Sequence, residues 1–193
     1  MTNKRLVTTT IPLAVALNVG IGLIVYSLKL PIFLDSIGTI VGTLLLGWKR
    51  GAIIGVLSFA VMSITLFPPA LWFSGTQLAI ALITHFLASK GRFSSVFSSF
   101  SSGLVMAFIT ALVSAPVIYY LFGGVTGNGI SAFTIFLEST GISKANSVLV
   151  SGFTTEFIDK TLQCLISFYL ISSVPQSLLN EYSNALLHEN NLV

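Results

Sequence analysis

An all-α integral membrane protein is the fold class this sequence predicts, and three observations carry the prediction. Of 193 residues, 54% are hydrophobic and only 8% are charged, against roughly 25% charged in a soluble globular domain. The mean hydropathy is +0.94. Apolar runs of the length a bilayer requires, about 20 residues, recur along the chain, separated by short basic, Pro-containing or Gly-containing breaks. The organisation expected is one transmembrane domain over residues 1–175 and a short tail over 176–193.

The first run, Leu6 to Leu28, follows Lys4 and Arg5. It exceeds the roughly 7 to 15 residues of a signal-peptide core and lacks a clear cleavage site, so it reads as a retained span. Further runs cover Ile32 to Gly47, Gly51 to Phe67, Ala70 to Ser89 and Phe100 to Phe122, with a last one inside Ile142 to Val174. Lys29, Trp48-Lys49-Arg50, Pro68-Pro69, Lys90-Gly91-Arg92 and the connection from Gly123 to Gly141 separate them. The second and third runs are short, which predicts little tilt or a start in protein-lined surroundings.

Charge placement tests the resulting count of six spans, because cytoplasmic loops are enriched in Lys and Arg. With the N-terminus inside, Lys4, Arg5, Lys49, Arg50, Lys90 and Arg92 fall on the inner side and only Lys29 and Lys144 on the outer. Both termini are then cytoplasmic. The net charge of +3 follows largely from this bias and gives no support for nucleic-acid binding. In the longest outer connection, GGVTGNG permits tight turns and SAFTIFLES reads as a short lid or interfacial segment. The inner stretch SSVFSSFSS reads as a flexible connector. No G-x-x-x-x-G-K-[ST] phosphate loop occurs.

The stretch GFTTEFIDKTLQ, Gly152 to Gln163, places Glu156, Asp159 and Lys160 inside the last span. Each would cost about 2.5 to 3.5 kcal/mol at a lipid-facing helix centre, so they are expected to face the bundle interior. At about 100° per residue all three share one arc, near the line of Ala145, Gly152, Gln163 and Ser167. One reading is structural: Glu156 and Lys160 form an i,i+4 ion pair and Asp159 bonds to a neighbouring helix. The other has Glu156 meeting a polar ligand or ion, organised from below by Lys160 and Asp159.

More polar residues gather toward the proposed outer face. They are Asp35 and Ser36, Trp72, Ser74, Thr76 and Gln77, Tyr119 and Tyr120, and Asn146 and Ser147. A pocket with aromatic walls and a few polar groups suits a small polar ligand. Trp72 and the tyrosines fit an interfacial aromatic belt equally well, and Asp35 fits a helix-capping carboxylate as well as a ligand contact. Catalysis has little support. His85 and His188 form no metal-ligand pattern, no Ser/His/Asp set is evident, and Lys160 beside Glu156 and Asp159 favours a neutralised binding or structural cluster. No cofactor is expected. The single Cys164 rules out an internal disulfide and reads as structural.

Two segments carry a family resemblance. LPIFLDSIGTIVGTLLLGWKRGAIIGVLS, Leu30 to Ser58, resembles the start of the second and third helices of the substrate-binding (S) components of energy-coupling factor transporters. TEFIDKTLQCLISFYLI, Thr155 to Ile171, resembles their sixth helix. The resemblance implies a six-helix protein of a bacterial plasma membrane that binds a water-soluble vitamin or precursor from outside. It also implies association with a transmembrane coupling subunit and two cytoplasmic ATPases, and toppling in the membrane to release cargo. A small-x-x-x-small motif on the family's first helix packs on the coupling subunit; here Ala16 and Gly20 match it, and packing within the chain is the alternative. By position, the family's pocket implies ligand contacts at Trp72, Gln77, Tyr120, Asn146 and Glu156. Pyridoxine or a hydroxymethylpyrimidine suits a compact pocket, pantothenate would want a cation such as Lys144, and cobalamin would need a larger cavity. A stand-alone cation-coupled carrier and a structural membrane scaffold are the rival classes.

Overall fold

A computed structural model of the chain describes residues 2–127 and 130–190. Its elements are helices: α1 (Thr2–Ser27), α2 (Ile37–Leu46), α3 (Trp48–Thr65), α4 (Ser74–Ser89), α5 (Val96–Pro116), α6 (Ser131–Ser139), α7 (Lys144–Ser172) and α8 (Gln176–Asn190). A 3-10 turn, Pro68–Phe73, leads into α4, and a π-helical turn, Val117–Leu121, ends α5. There is no strand among the described residues. Asn128 and Gly129 of the GGVTGNG stretch lie outside the described residues, as do the side chains of Lys4, Arg5, His188 and Glu189.

Among the described residues, four segments are long and apolar enough to cross a membrane: Leu6–Ser27, Trp48–Thr65, Pro68–Ser89 and Val96–Leu121. A fifth is reached when α7, whose central charges lower its hydropathy, is counted together with α8 across a 103° bend. The departure from the expected six lies in α2. Its 10 residues span about 15 Å, half the roughly 30 Å hydrocarbon core, because residues 31–36 are not helical as the run from Ile32 suggested. Apart from Val41 and Leu44, α2 is buried, so it does begin in protein-lined surroundings.

Close backbone approach explains the packing. Gly47, at φ 82°, turns the chain directly from α2 into α3, a conformation that favours glycine. The two helices then run as a tight hairpin, in which a Cβ on Gly51 would collide with the Thr43 side chain. The buried residues of α5 are Ser99, Ser102, Gly103, Met106, Ala107, Thr110, Ala111 and Ser114, all small but Met106. At Gly103 an added Cβ would lie 2.5 Å from the Thr161 Cα. Ile40, Ile80, Met106 and Cys164 close the centre with one side chain each from α2, α4, α5 and α7, and Cys164 is a buried free thiol.

One loop expectation changes, and the tail gains a helix. The Ser-rich stretch is the start of α5, not a connector: Ser95 caps the helix, and its Oγ accepts from Ser98 N while Ser98 Oγ accepts from Ser95 N. The tail expected over 176–193 contains α8, which returns to the bundle and joins α1 through a Tyr182–Thr10 hydroxyl contact of 2.8 Å.

The contact at Gly103 predicts that Gly103→Ala destabilises the detergent-solubilised protein by about 1–3 kcal/mol, the usual penalty for overpacking. On Gly20 a Cβ meets nothing, so Gly20→Ala should leave stability unchanged or raise it by up to about 1 kcal/mol. Thermal unfolding of the two variants side by side checks both signs.

Candidate functional site

Asp159 is fully buried on α7 and accepts four hydrogen bonds. Its Oδ1 takes the backbone N–H groups of Phe33 at 2.9 Å and Leu34 at 2.8 Å. Its Oδ2 takes Lys160 Nζ at 2.6 Å and Gln163 Nε2 at 2.7 Å. Consecutive N–H groups converging on one carboxylate form an anion cradle. Leu34 sits at φ 49°, a left-handed conformation that costs a non-glycine residue about 1–2 kcal/mol and that these bonds offset. Asp159 therefore holds the α1–α2 loop against α7, which keeps Ile32 to Leu34 out of the helix.

The expected i,i+4 ion pair is present, with Lys160 Nζ 3.5 Å from Glu156 Oε2. Lys160 is closer still to Asp159, its neighbour in sequence, at 2.6 Å. Glu156 also reaches the facing helix, where Thr110 Oγ1 of α5 donates to its Oε2 at 2.8 Å. No hydrogen bond from the described residues reaches Glu156 Oε1. The Lys160 ammonium also lies 5.9 Å from the centroid of the Phe33 ring, within cation–π range.

Glu156 and Lys160 form part of the lining of a cavity of about 460 Å³, within the range of small-molecule sites. Tyr26, Phe33, Phe59, Phe67 and Phe73 supply aromatic walls, and Asp35, Thr76, Gln77 and Ser151 supply polar groups. On one side the cavity meets α6 and the residues leading to it, through Thr126, Ile130 and Thr134. A 2.7 Å hydroxyl contact between Thr134 and Ser151 fastens α6 to α7, so Ser131, Ala132 and Thr134 of the SAFTIFLES segment form part of the cavity wall.

A second polar system ends at the cavity. Asn18 of α1 donates to Thr39 Oγ1 and Ser58 Oγ, each at 3.0 Å, and accepts from Gly38 N at 2.6 Å. Thr39 donates to Gln77 Oε1 at 2.7 Å, Gln77 Nε2 to Ser36 Oγ at 2.8 Å, and Ser36 to Asp35 Oδ1 at 2.9 Å. The donors therefore point one way, from Asn18 to the Asp35 carboxylate. Such chains polarise one another in a low-dielectric interior, and this one orients Asp35 toward the cavity.

Asp35, Gln77 and Glu156 thus reach one cavity, with Lys160 between Glu156 and the Asp159 anchor behind it. Asp35 does not cap α2: Ser36 holds the N-cap position and no side-chain cap bond forms. Three positions carried over from the resemblance lie elsewhere. Trp72 is 63% and Tyr120 80% exposed, because the 3-10 turn directs Ala70 and Phe73 inward and the π turn leaves Tyr120 outside, packed edge-on against Tyr119. Asn146 is exposed in the first turn of α7. Lys144 is exposed as well, beside Gly123. Ala16 and Gly20 face outward from α1, so they are not an internal packing motif. Asn18, Thr39 and Thr110 are the site residues that sequence reasoning missed. Asn18 alone carried a signal, an amide inside an apolar span.

Compared with protein-family models, with curated proteins and with solved structures, the chain matches none. Among the described residues no group of three or more His, Cys, Asp or Glu side chains is placed to hold a metal ion.

Asp159→Asn breaks the buried pair at 2.6 Å and leaves Lys160 only its 3.5 Å contact to Glu156, and breaking a buried pair by removing one partner typically costs about 3–5 kcal/mol. The loss in the double variant with Lys160→Met should be smaller than the sum of the two single losses. Unfolding of the two single variants and the double variant measures this coupling. Additive effects would show that the pair does not act as a unit.

Proposed function

We propose that this protein is the substrate-binding component of an importer of the energy-coupling factor type, taking a water-soluble vitamin or precursor from outside a bacterial cell. The observation that carries the reading is the cavity: bordered by the α1–α2 loop and α6, walled by aromatic rings, and lined by Glu156 and Lys160. A scaffold has no need of a hollow of about 460 Å³ with carboxylates turned into it. In this reading α7 is the sixth span, the short α2 crosses as a protein-lined half, and both termini lie inside, as the Lys and Arg distribution indicates. Energy comes from a coupling subunit and two ATPases, and the outward Ala16 and Gly20 of α1 offer that subunit a close approach.

Among cargoes, pyridoxine or a hydroxymethylpyrimidine matches the compact aromatic cavity. Pantothenate is less well served, because Lys144 stands outside the cavity. The stand-alone carrier keeps one supporting observation, the Glu156 Oε1 that no hydrogen-bond donor among the described residues reaches, where a coupling cation would have a ligand.

Mass spectrometry of small molecules released from gently purified protein, followed by thermal-shift titration with the B-group vitamins, tests the proposal. A stoichiometric vitamin should be recovered, and at 100-fold excess over its Kd it should add about 2.7 kcal/mol of stability. Absence of any ligand, no stabilisation by the panel, and uptake by liposomes containing this chain alone would overturn it in favour of the carrier.

A further inference from the structure

The charges around the cavity do not balance. Asp35, Glu156 and Asp159 are three carboxylates, and Lys160 is the one buried ammonium among the described residues. Lys160 is committed to Asp159 at 2.6 Å. Glu156 shares that ammonium at 3.5 Å, and among the described residues the half-buried Asp35 accepts, outside its own residue, only from the Ser36 hydroxyl. Lys29 is at the cavity rim but exposed, where water screens its charge. Thr76, 93% buried, has an Oγ with no partner and also lines the cavity.

From this imbalance we infer that the cavity takes an organic cation: a ligand whose ammonium or cationic ring nitrogen sits between Asp35 and Glu156 while its aromatic body packs among the rings of Tyr26, Phe33, Phe59, Phe67 and Phe73. This inference rests on the vitamin-binding reading and narrows it. Three carboxylates sharing one ammonium leave negative charge in excess in a largely apolar site, which is costly, so a ligand that brings positive charge gains what a neutral isostere cannot. Aromatic faces attract cations as well. The alternative of a bare inorganic ion fits poorly, because hard cations such as calcium and magnesium demand about six oxygen ligands and the walls here are largely apolar. Thr76 offers a hydrogen bond to a polar substituent on the ring.

The test compares matched pairs that differ in an aminomethyl against a hydroxymethyl group: pyridoxamine against pyridoxine, and aminomethylpyrimidine against hydroxymethylpyrimidine. Thiamin serves as a permanently charged probe, pantothenate as an anion, and sodium chloride against potassium chloride as an ion control. Affinities come from calorimetry on the full chain in nanodiscs. The expected result is at least about tenfold tighter binding of the cationic member of a pair, corresponding to about 1.4 kcal/mol, with the ratio falling toward one in Glu156→Gln and Asp35→Asn while the neutral member still binds. Should Asp35→Asn not fold, the wild-type ratios and Glu156→Gln decide. Equal affinity within each pair, or preference for pantothenate, overturns the inference and leaves vitamin binding standing. If no organic probe binds, the vitamin-binding reading falls too, and stabilisation by sodium alone would then identify an ion site.

Discussion

The cradle around Asp159 is the interaction on which the rest of the structure depends. A carboxylate at the middle of an apolar helix is tolerable only with its lone pairs filled, and here two backbone N–H groups, an ammonium and an amide fill them. The two backbone donors belong to the loop before α2. Meeting Asp159 bends that loop inward, shortens α2 and brings Asp35 to the cavity. One buried charge therefore determines where a helix starts and where a second carboxylate points.

Small residues make this polar interior possible. Because the buried face of α5 is, apart from Met106, serine, glycine, alanine and threonine, the two backbones approach closely enough for Thr110 to reach Glu156. Bulkier side chains would fill the same volume with apolar contact and push the hydroxyl out of range. Gly38 plays the corresponding part between α1 and α2, where its N–H meets the Asn18 side chain and a Cβ would collide with the Ala14 carbonyl. In a bilayer the hydrophobic effect does not drive helices together, so close packing and interhelical hydrogen bonds carry more of the association. Both contacts are of that kind.

The two polar systems divide the labour. The chain from Asn18 to Asp35 crosses four elements, satisfying its donors in turn, and ties α1, α2, α3 and α4 together. The Asp159–Lys160–Glu156 cluster ties α7 to the loop and to α5. Both end at the same cavity, so the groups turned into it are held by rigid neighbours, as preorganised binding requires.

Composition and hydropathy by themselves determined that the chain is helical and built for a membrane, and the cost of charge in lipid determined that Glu156, Asp159 and Lys160 turn inward. Those are properties of single segments, readable from which residues recur and what solvent they tolerate. Partner choice is different. That Lys160 pairs with Asp159, that Glu156 bonds to Thr110, and that Trp72, Tyr120 and Asn146 stay outside the cavity were decided only by tertiary structure. The physical reason is range: Leu34 and Asp159 lie 125 residues apart in the chain, and no local periodicity records which distant backbone groups will be brought within 3 Å of a carboxylate.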